Sequence, residues 1–225
     1  MSQPLRYSNR QDNEQYFYLH NQSLSCSSEA ELWDEFRMGR KEAFDQIYEQ
    51  FFDTLCTYGD KFCRDKNVVE DVVQELFIYL WSKKENLGST KTIKYYLFLC
   101  LRRRLVRVLK QEQKRSITFT ALAGDANRFH LTLKDNMVSP EHEEMLAKLS
   151  YAIQKLTDRQ REAVYLKFYN NLSFQEVSSI MELEVKSLYN LISRTLDILR
   201  SDLQEEEISG TLVDSLIIPF LMHCL

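Results

Sequence analysis

The sequence predicts an all-α fold made of two small helical domains that a flexible linker joins. Only five glycines and three prolines occur among the 225 residues, so few positions would interrupt a helix. Apolar residues recur at three- and four-residue steps along most of the chain, and strand-like alternation is confined to the short segment 117–133. A hydrophobic content of 44% is sufficient to build real cores and excludes a disordered chain.

The first domain is predicted over 31–115 and follows a polar extension at 1–30. The extension has no apolar core, so we do not expect a signal peptide there. The helical pattern begins with these apolar and aromatic side chains: Leu32, Trp33, Phe36, Ala43, Phe44, Ile47, Tyr48, Phe51, Phe52 and Leu55. A loop centred on Gly88 is expected at 82–92, and a further helix at 93–114.

A helix with two unlike faces is predicted over 70–81. Its apolar face is formed by Val72, Leu76, Tyr79 and Leu80. Its polar face is formed by Asp71, Gln74 and Glu75. Taken alone, this pattern is typical of a core helix with a solvated face.

Charge is distributed unevenly along the first domain, although the whole chain carries a net charge of only −4. Residues 31–81 hold 6 basic and 12 acidic side chains, whereas residues 82–115 hold 11 basic and 2 acidic side chains. An acidic part followed by a strongly basic part suggests two different binding partners.

The basic helix and the loop before it are typical of a surface that binds opened, single-stranded DNA. The candidate DNA-binding cations are Lys91, Lys94, Arg102, Arg103, Arg107 and Lys110. Cations can follow a phosphate backbone, and the nearby Tyr95, Tyr96 and Phe98 could stack on bases. The alternative is a solvated helix whose leucines and tyrosines face the core. Both interpretations can hold at once, because the cations occupy the other face of the helix.

A linker is predicted at 116–143, where Gly124 and Pro140 occur and no helical stripe is sustained. The second domain, predicted over 144–204, has the pattern of a helix-turn-helix. Thr157 and Ser173 each have a Gln or Glu three residues later, which is the capping-box spacing that marks a helix start.

A longer helix follows at about 184–200. In a helix-turn-helix this last helix lies in the DNA major groove, although an ordinary three-helix bundle has the same spacing.

Two motifs together resemble the RNA polymerase sigma factors, and in particular the small two-domain extracytoplasmic-function kind of the sigma-70 type. The first motif is Asp-x-x-Gln-Glu-x-Phe-x-x-x-Trp, which is matched by Asp71, Gln74, Glu75, Phe77 and Trp81. The second motif is the helix-turn-helix, which is matched almost position by position over 156–181. The resemblance covers about 31–115 and 145–203, and the two motifs are strongly specific in this order and at this separation.

The resemblance implies that the chain binds core RNA polymerase and directs it to promoters. In this family the polar helix, here Asp71, Gln74 and Glu75, grips a helical clamp on the large polymerase subunit, whose arginines suit carboxylate partners. The loop at 82–92 and the basic helix would meet the −10 promoter element and trap a flipped base. An anti-sigma factor is a further expected partner.

The resemblance also implies that the last helix reads the −35 promoter element. Its expected DNA contacts are Lys186, Ser187, Tyr189, Asn190 and Arg194. The chain departs from the family at Glu182, where a turn glycine is common, and at Glu184, where serine or threonine often caps the helix. A left-handed residue other than glycine costs about 1 kcal/mol, which favours an altered turn.

No pattern in the chain indicates catalysis, a cofactor or a metal site. The four histidines lack ligand spacing and the five cysteines include no Cys-x-x-Cys pair, so we expect a reduced, cytoplasmic protein without metal. The C-terminal tail at 205–225 is apolar and is expected to dock on the second domain or on a partner. Asp214 and Pro219 interrupt it, so direct insertion into a membrane is not expected.

Two other functions remain open at this point. One is a helix-turn-helix DNA-binding regulator that does not engage polymerase, although such a regulator has no need of the acidic helix. The other is an enzyme of unknown type or a purely structural helical protein. The lack of a reactive cluster argues against the enzyme, and the basic segment 82–115 argues against the structural protein.

Overall fold

The structure is a computed structural model, and it describes residue 26 and residues 28–90, 92–117, 129–130 and 140–203. In chain order its elements are α1 (Glu29–Arg37), α2 (Lys41–Asp60), α3 (Lys66–Lys83), a 3₁₀ turn (Lys84–Asn86), α4 (Ile93–Ile117), α5 (Pro140–Lys155), α6 (Asp158–Val164), a π-helical segment (Tyr165–Tyr169), α7 (Phe174–Met181) and α8 (Val185–Leu203). No strand occurs within these ranges, and the predicted all-α fold is confirmed.

Some expectations fall on residues outside the described ranges. They are the DNA contact at Lys91, most of the polar extension at 1–30, most of the linker at 116–143 and all of the apolar tail at 205–225.

Helices α1–α4 build the first domain around the apolar positions that the sequence pattern indicates. Short polar residues begin two of these helices: Ser28 Oγ accepts the N–H of Glu31 at 3.3 Å, and Asp65 Oδ1 accepts the N–H of Asn67 at 3.0 Å. Side chains with no exposed surface include Trp33, Leu55, Leu76, Ile93, Leu101 and Leu105. The core is therefore shared by all four helices.

Helices α2 and α3 cross closely at Gly59. A Cβ atom placed on Gly59 would lie 2.4 Å from Cγ1 of Val69, closer than real Cβ atoms approach their neighbours. Any other residue would push α3 away from α2. Gly59 therefore sets how deeply α3 is seated, and with it the position of the polar face of α3.

Helices α5–α8 form the second domain, and its two short helices begin where the sequence predicts. Thr157 Oγ1 and Ser173 Oγ each accept a backbone N–H three residues later, both at 3.3 Å. In return, the side chains of Gln160 and Glu176 accept the backbone N–H of their cap residue, at 2.9 and 2.8 Å. Both predicted capping boxes are confirmed, and each cap is worth about 1 kcal/mol.

The chain that follows α6 does not continue as a regular α-helix. The N–H of Asn170 donates to the carbonyl oxygen of Tyr165, five residues back, at 3.0 Å, and this bond closes a π-helical turn. Asn171 then adopts a left-handed conformation with φ of 58°, which ends the segment.

The turn between α7 and α8 keeps the left-handed geometry that a glycine would usually adopt. Glu182 has φ of 55° and ψ of 47°, and its N–H donates to the carbonyl oxygen of Ser178. The altered turn that the sequence favours is therefore not found. The chain instead retains strain of about 1 kcal/mol at this residue.

The two domains pack against each other, with α4 lying on α7. The rings of Tyr58 and Tyr165, one from each domain, stack with centroids 6.0 Å apart. Phe129, from the predicted linker, is buried against both rings, with its ring centroid 6.1 Å from that of Tyr58 and 5.6 Å from that of Tyr165. The sequence pattern predicts two domains but does not indicate this contact.

Candidate nucleic-acid interface

The polar face of α3 is open to solvent. Its three predicted polymerase contacts are exposed: Asp71, Gln74 and Glu75. Ile78 beside them is 69% exposed and Tyr79 is 43% exposed. Tyr79 does not join the apolar face as the sequence predicts, because its ring lies 4.7 Å from the guanidinium of Arg104. The face is therefore both acidic and apolar, which suits a basic partner helix.

The predicted DNA-binding cations of α4 divide into two groups. Arg103, Arg107 and Lys110 are exposed. They border a cleft of about 550 Å³ that Glu182 of the second domain closes at one side. The other group, formed by Lys94 and Arg102, is held by the second domain.

Arg102 forms a buried ion pair with Glu162 of α6. Its Nε donates to Oε1 at 2.6 Å and its Nη2 donates to Oε2 at 3.2 Å. The Glu162 side chain is only 4% exposed and the Arg102 side chain 15%. The hydroxyl of Tyr58 donates to the same Oε1 at 2.9 Å. Two donors of the first domain therefore satisfy one carboxylate of the second domain.

The protonation states of this cluster are set by burial and by the charge of Glu162. Burial raises the pKa of Tyr58 well above its ordinary value, and the Glu162 carboxylate raises it further, so the hydroxyl remains a donor. Burial lowers the pKa of Arg102, but its hydrogen bond to Glu162 and the charge of that residue outweigh burial, and the net shift is upward. Arg102 stays charged in the interface.

Two further cations of α4 meet oxygen acceptors of the second domain. Lys94 Nζ donates to the backbone carbonyl oxygen of Asn170 at 2.8 Å, and burial lowers the pKa of Lys94. Arg103 Nε lies 3.7 Å from Oε1 of Glu182, with both side chains more than half exposed. The Arg103 contact is weak, because water screens an exposed pair.

The aromatic side chains that precede the basic segment belong mainly to the core. Phe98 is fully buried, and its ring lies 4.8 Å from that of Tyr58. Tyr96 is half-buried against Trp33, with ring centroids 5.1 Å apart, and burial raises its pKa. The core interpretation is therefore the right one for Phe98, which has no exposed face for a base.

The loop at 82–92, where a flipped base is expected, is tied to α1. Trp33 Nε1 donates to the carbonyl oxygen of Gly88 at 2.9 Å. A carboxylate oxygen of Glu29 accepts the N–H of Ile93 at 2.8 Å. The loop and the first turn of α4 are therefore positioned together by one short helix.

Helix α8 presents all of its predicted DNA contacts on one exposed face. These side chains are Lys186, Ser187, Tyr189, Asn190 and Arg194. The opposite face is buried and includes Leu188, Ile192, Thr195 and Leu199. The helix therefore offers a continuous polar surface of the kind that enters a groove.

Tyr189 on this face is supported by Phe174, a residue for which the sequence pattern predicts no role. The two rings are nearly parallel, with centroids 3.9 Å apart. Lys167 Nζ lies 4.9 Å from the centroid of the Phe174 ring. An aromatic residue at the first position of a capped helix was the available indication of this support.

Nothing within the described ranges indicates a metal site, because no group of three or more His, Cys, Asp or Glu side chains is placed to hold an ion. Burial and the nearby charge of Glu70 raise the pKa of the Cys56 thiol to about 12, so Cys56 is a packing residue and not a reactive one. None of the helices described here is both long enough and apolar enough to span a bilayer.

Comparison with known proteins shows what this chain is similar to. The family model for sigma-70, region 4, matches residues 146–199. The ECF RNA polymerase sigma factor SigM of Bacillus subtilis is 25% identical over 152 residues, which are 67% of this chain and 88% of that protein. The RNA polymerase sigma-H factor of Pseudomonas aeruginosa is 24% identical over 187 residues, which are 80% of this chain and 96% of that protein. Residues 146–199 therefore match sigma-70 region 4, and the chain as a whole is similar to curated RNA polymerase sigma factors, including ones of the extracytoplasmic-function (ECF) kind.

A solved structure is similar to this chain in fold. It is the sigma factor RpoE in complex with the anti-sigma factor NepR, from Bartonella quintana, and it covers 73% of this chain and 98% of its own. The TM-score is 0.55 and the sequence identity is 17%. At that identity the likeness shows a shared helical fold and leaves the individual contacts to be argued from this chain.

Proposed function

We propose that this chain is a sigma factor that binds core RNA polymerase through the polar face of α3 and directs it to promoters through α4 and α8. The observation that carries the proposal is the polar face itself. Asp71, Gln74 and Glu75 project together from a helix whose other face is buried, at the spacing of the family motif. A DNA-binding protein that works without polymerase has no use for such a surface.

The chemistry of this face suits a basic helix of the polymerase. Asp71 and Glu75 are four residues apart, so their carboxylates lie one turn apart on the same side of α3. Each can accept a bidentate bond from a guanidinium group, and Gln74 can donate or accept beside them. The exposed side chain of Ile78 adds an apolar contact that an open carboxylate pair alone would lack.

Promoter contacts would come from both domains. The exposed Arg103, Arg107 and Lys110 of α4 can neutralise phosphates of an opened strand. On α8, Asn190 suits adenine and Arg194 suits guanine or a phosphate. We place the first domain at 31–115 and the second at 144–204. The protein would perform no chemistry of its own and would act in the cytoplasm, with an anti-sigma factor as its antagonist.

Charge reversal on α3 tests the polymerase contact. Asp71→Lys combined with Glu75→Lys should abolish capture of core polymerase by the full chain, because removing one member of a close interfacial charge pair costs about 2–5 kcal/mol. A pull-down of purified core enzyme measures the loss, and circular dichroism should show unchanged helicity.

The matched control is Glu49→Lys combined with Asp53→Lys, which makes the same charge change at the same spacing on the exposed side of α2. The control should retain binding to core polymerase. Undiminished binding by the α3 variant, or equal loss in both variants, would overturn the assignment of this face.

A further inference from the structure

The second domain presents a row of oxygen acceptors to the basic helix. The donors on α4 are Lys94, Arg102 and Arg103. They meet, in that order, the carbonyl oxygen of Asn170 and the carboxylates of Glu162 and Glu182. Every donor in this row is one of the cations predicted to contact DNA, and every acceptor is an oxygen of the helix-turn-helix domain.

These acceptors have the chemistry of a nucleic-acid backbone. A guanidinium group forms the same two-pronged hydrogen bond with a carboxylate as with a phosphate, and an ammonium group binds either as a point charge. Positions 94 and 102 are about 12 Å apart along α4, a span over which a DNA strand presents several phosphates. The row of oxygen acceptors therefore covers this side of α4 much as a DNA strand would.

We propose that the helix-turn-helix domain uses this surface to take the place of DNA on α4, so that the free chain masks its own −10 contacts. Glu162 is the residue that holds the chain closed. The masking depends on the proposed function, since it assumes that α4 binds DNA. The closure, which is the packing of the two domains against each other, does not depend on the proposed function, because it follows from the interdomain contacts alone.

Glu162 is central because its carboxylate is the acceptor removed from water. It is 4% exposed and receives three hydrogen bonds from the first domain, two from Arg102 and one from Tyr58. A buried carboxylate needs such partners, since it has lost its hydration. Arg102 cannot grip a phosphate with the same two nitrogens while Glu162 holds them.

The remaining contacts define how the closed form would open. Arg103 and Glu182 are exposed and 3.7 Å apart, so the outer edge of the interface is the weak part. Arg107 and Lys110 beside it remain exposed and can receive a DNA strand first. The polar face of α3 is exposed in the closed form, so polymerase can bind before the domains separate.

The experiment compares Glu162→Gln with Glu184→Gln in the full chain. The first variant removes the buried charge and keeps the side-chain shape. The second removes the same charge from an exposed side chain of the second domain. Small-angle X-ray scattering measures the radius of gyration, and fluorescence anisotropy measures binding of a single-stranded oligonucleotide.

We expect Glu162→Gln to enlarge the radius of gyration and to tighten oligonucleotide binding about tenfold, a usual size for coupled equilibria. Glu184→Gln should leave the radius unchanged and alter the affinity less than about twofold. The reversed pair, Arg102→Glu with Glu162→Arg, should restore the wild-type radius. Circular dichroism checks that each variant is folded.

The proposal is overturned if Glu162→Gln keeps the wild-type radius, or if it expands without binding the oligonucleotide more tightly than Glu184→Gln does. If no protein binds the oligonucleotide at any salt concentration but Glu162→Gln still expands, the proposed DNA contact of α4 fails and the closure stands. Should Glu162→Gln not fold, Arg102→Gln removes the charged partner of Glu162, and an unchanged radius in that variant overturns the closure.

Discussion

The charged faces of α3 and α4 follow the same helical spacing in the sequence, but they lie in different environments in the structure. Each helix carries apolar residues at helical spacing on one side and charged residues on the other. On α3 the predicted contacts are all exposed, whereas on α4 Arg102 and Lys94 are held by the second domain. Periodicity therefore locates a charged face, but its availability depends on what packs against it from a distant part of the chain.

Arg102 and Arg107, two cations of the same helix, should differ most in their contribution to the free energy of unfolding. Arg102→Ala removes the main partner of the Glu162 carboxylate, which should lower the free energy of unfolding by about 3 kcal/mol. Arg107 is exposed, so Arg107→Ala should change it by about 0.5 kcal/mol or less. Urea denaturation measures both. Equal effects would show that the two cations share one environment in solution.

The salt dependence of binding to single-stranded DNA tests whether the three exposed cations of α4 contact phosphates. Arg103→Ala, Arg107→Ala and Lys110→Ala together should reduce the slope of log K against log salt by about 2, because each phosphate contact contributes about 0.7. The control replaces three exposed cations outside α4 and outside the loop at 82–92: Arg64, Lys66 and Arg159. A slope that the α4 replacements leave unchanged would mean that these side chains do not meet the strand.

A smaller effect should come from Tyr58, which shares Glu162 with Arg102. Tyr58→Phe removes a hydrogen bond to a charged acceptor and should cost about 1.5 kcal/mol at pH 7. Because the pKa of Tyr58 is raised in the folded state, its contribution is complete below the ordinary tyrosine pKa of about 10 and is lost as pH rises toward the folded-state value.

The stability gap between wild type and Tyr58→Phe should therefore narrow between about pH 10 and pH 11. Urea denaturation at pH 7 and pH 11 measures it. A gap that stays constant would place the hydroxyl outside the ion-pair cluster.

The smallest change in stability should come from replacing Glu182, which lies at the weak edge of the interface. Glu182→Gly relieves the left-handed strain and should stabilise the second domain by about 1 kcal/mol or less, since glycine also gains entropy in the unfolded chain. Thermal unfolding measures the change. Destabilisation would mean that the Arg103 contact outweighs the strain.

Local features of the fold could be predicted from the sequence because they depend on residues a few positions apart. The capping boxes at Thr157 and Ser173 follow from a three-residue spacing, and the all-α character follows from periodicity and sparse glycine and proline. The polymerase and DNA contacts on α3 and α8 remain predictions, although the structure places both sets on exposed faces. Lys91 lies outside the described residues.

The interface between the domains could not be predicted, because it joins residues far apart in sequence. Glu162 is 60 positions from Arg102 and 104 from Tyr58. In the sequence Glu162 is one acid in a short helix, next to Ala163 and Val164. Arg102 directly follows Leu101, which is fully buried, and this proximity to the apolar stripe was the available indication that it differs from Arg107.

The π-helical segment at Tyr165–Tyr169 fixes the angular phase between α6 and everything that follows it. An α-helix advances by about 100° per residue, so an extra residue accommodated in one turn shifts the register of all later side chains by that angle. If the same residues formed a regular α-helix instead, Asn170 and α7 would be rotated around the axis. Lys94 would then meet a different part of the second domain, so the wide turn helps to set how the two domains are aligned.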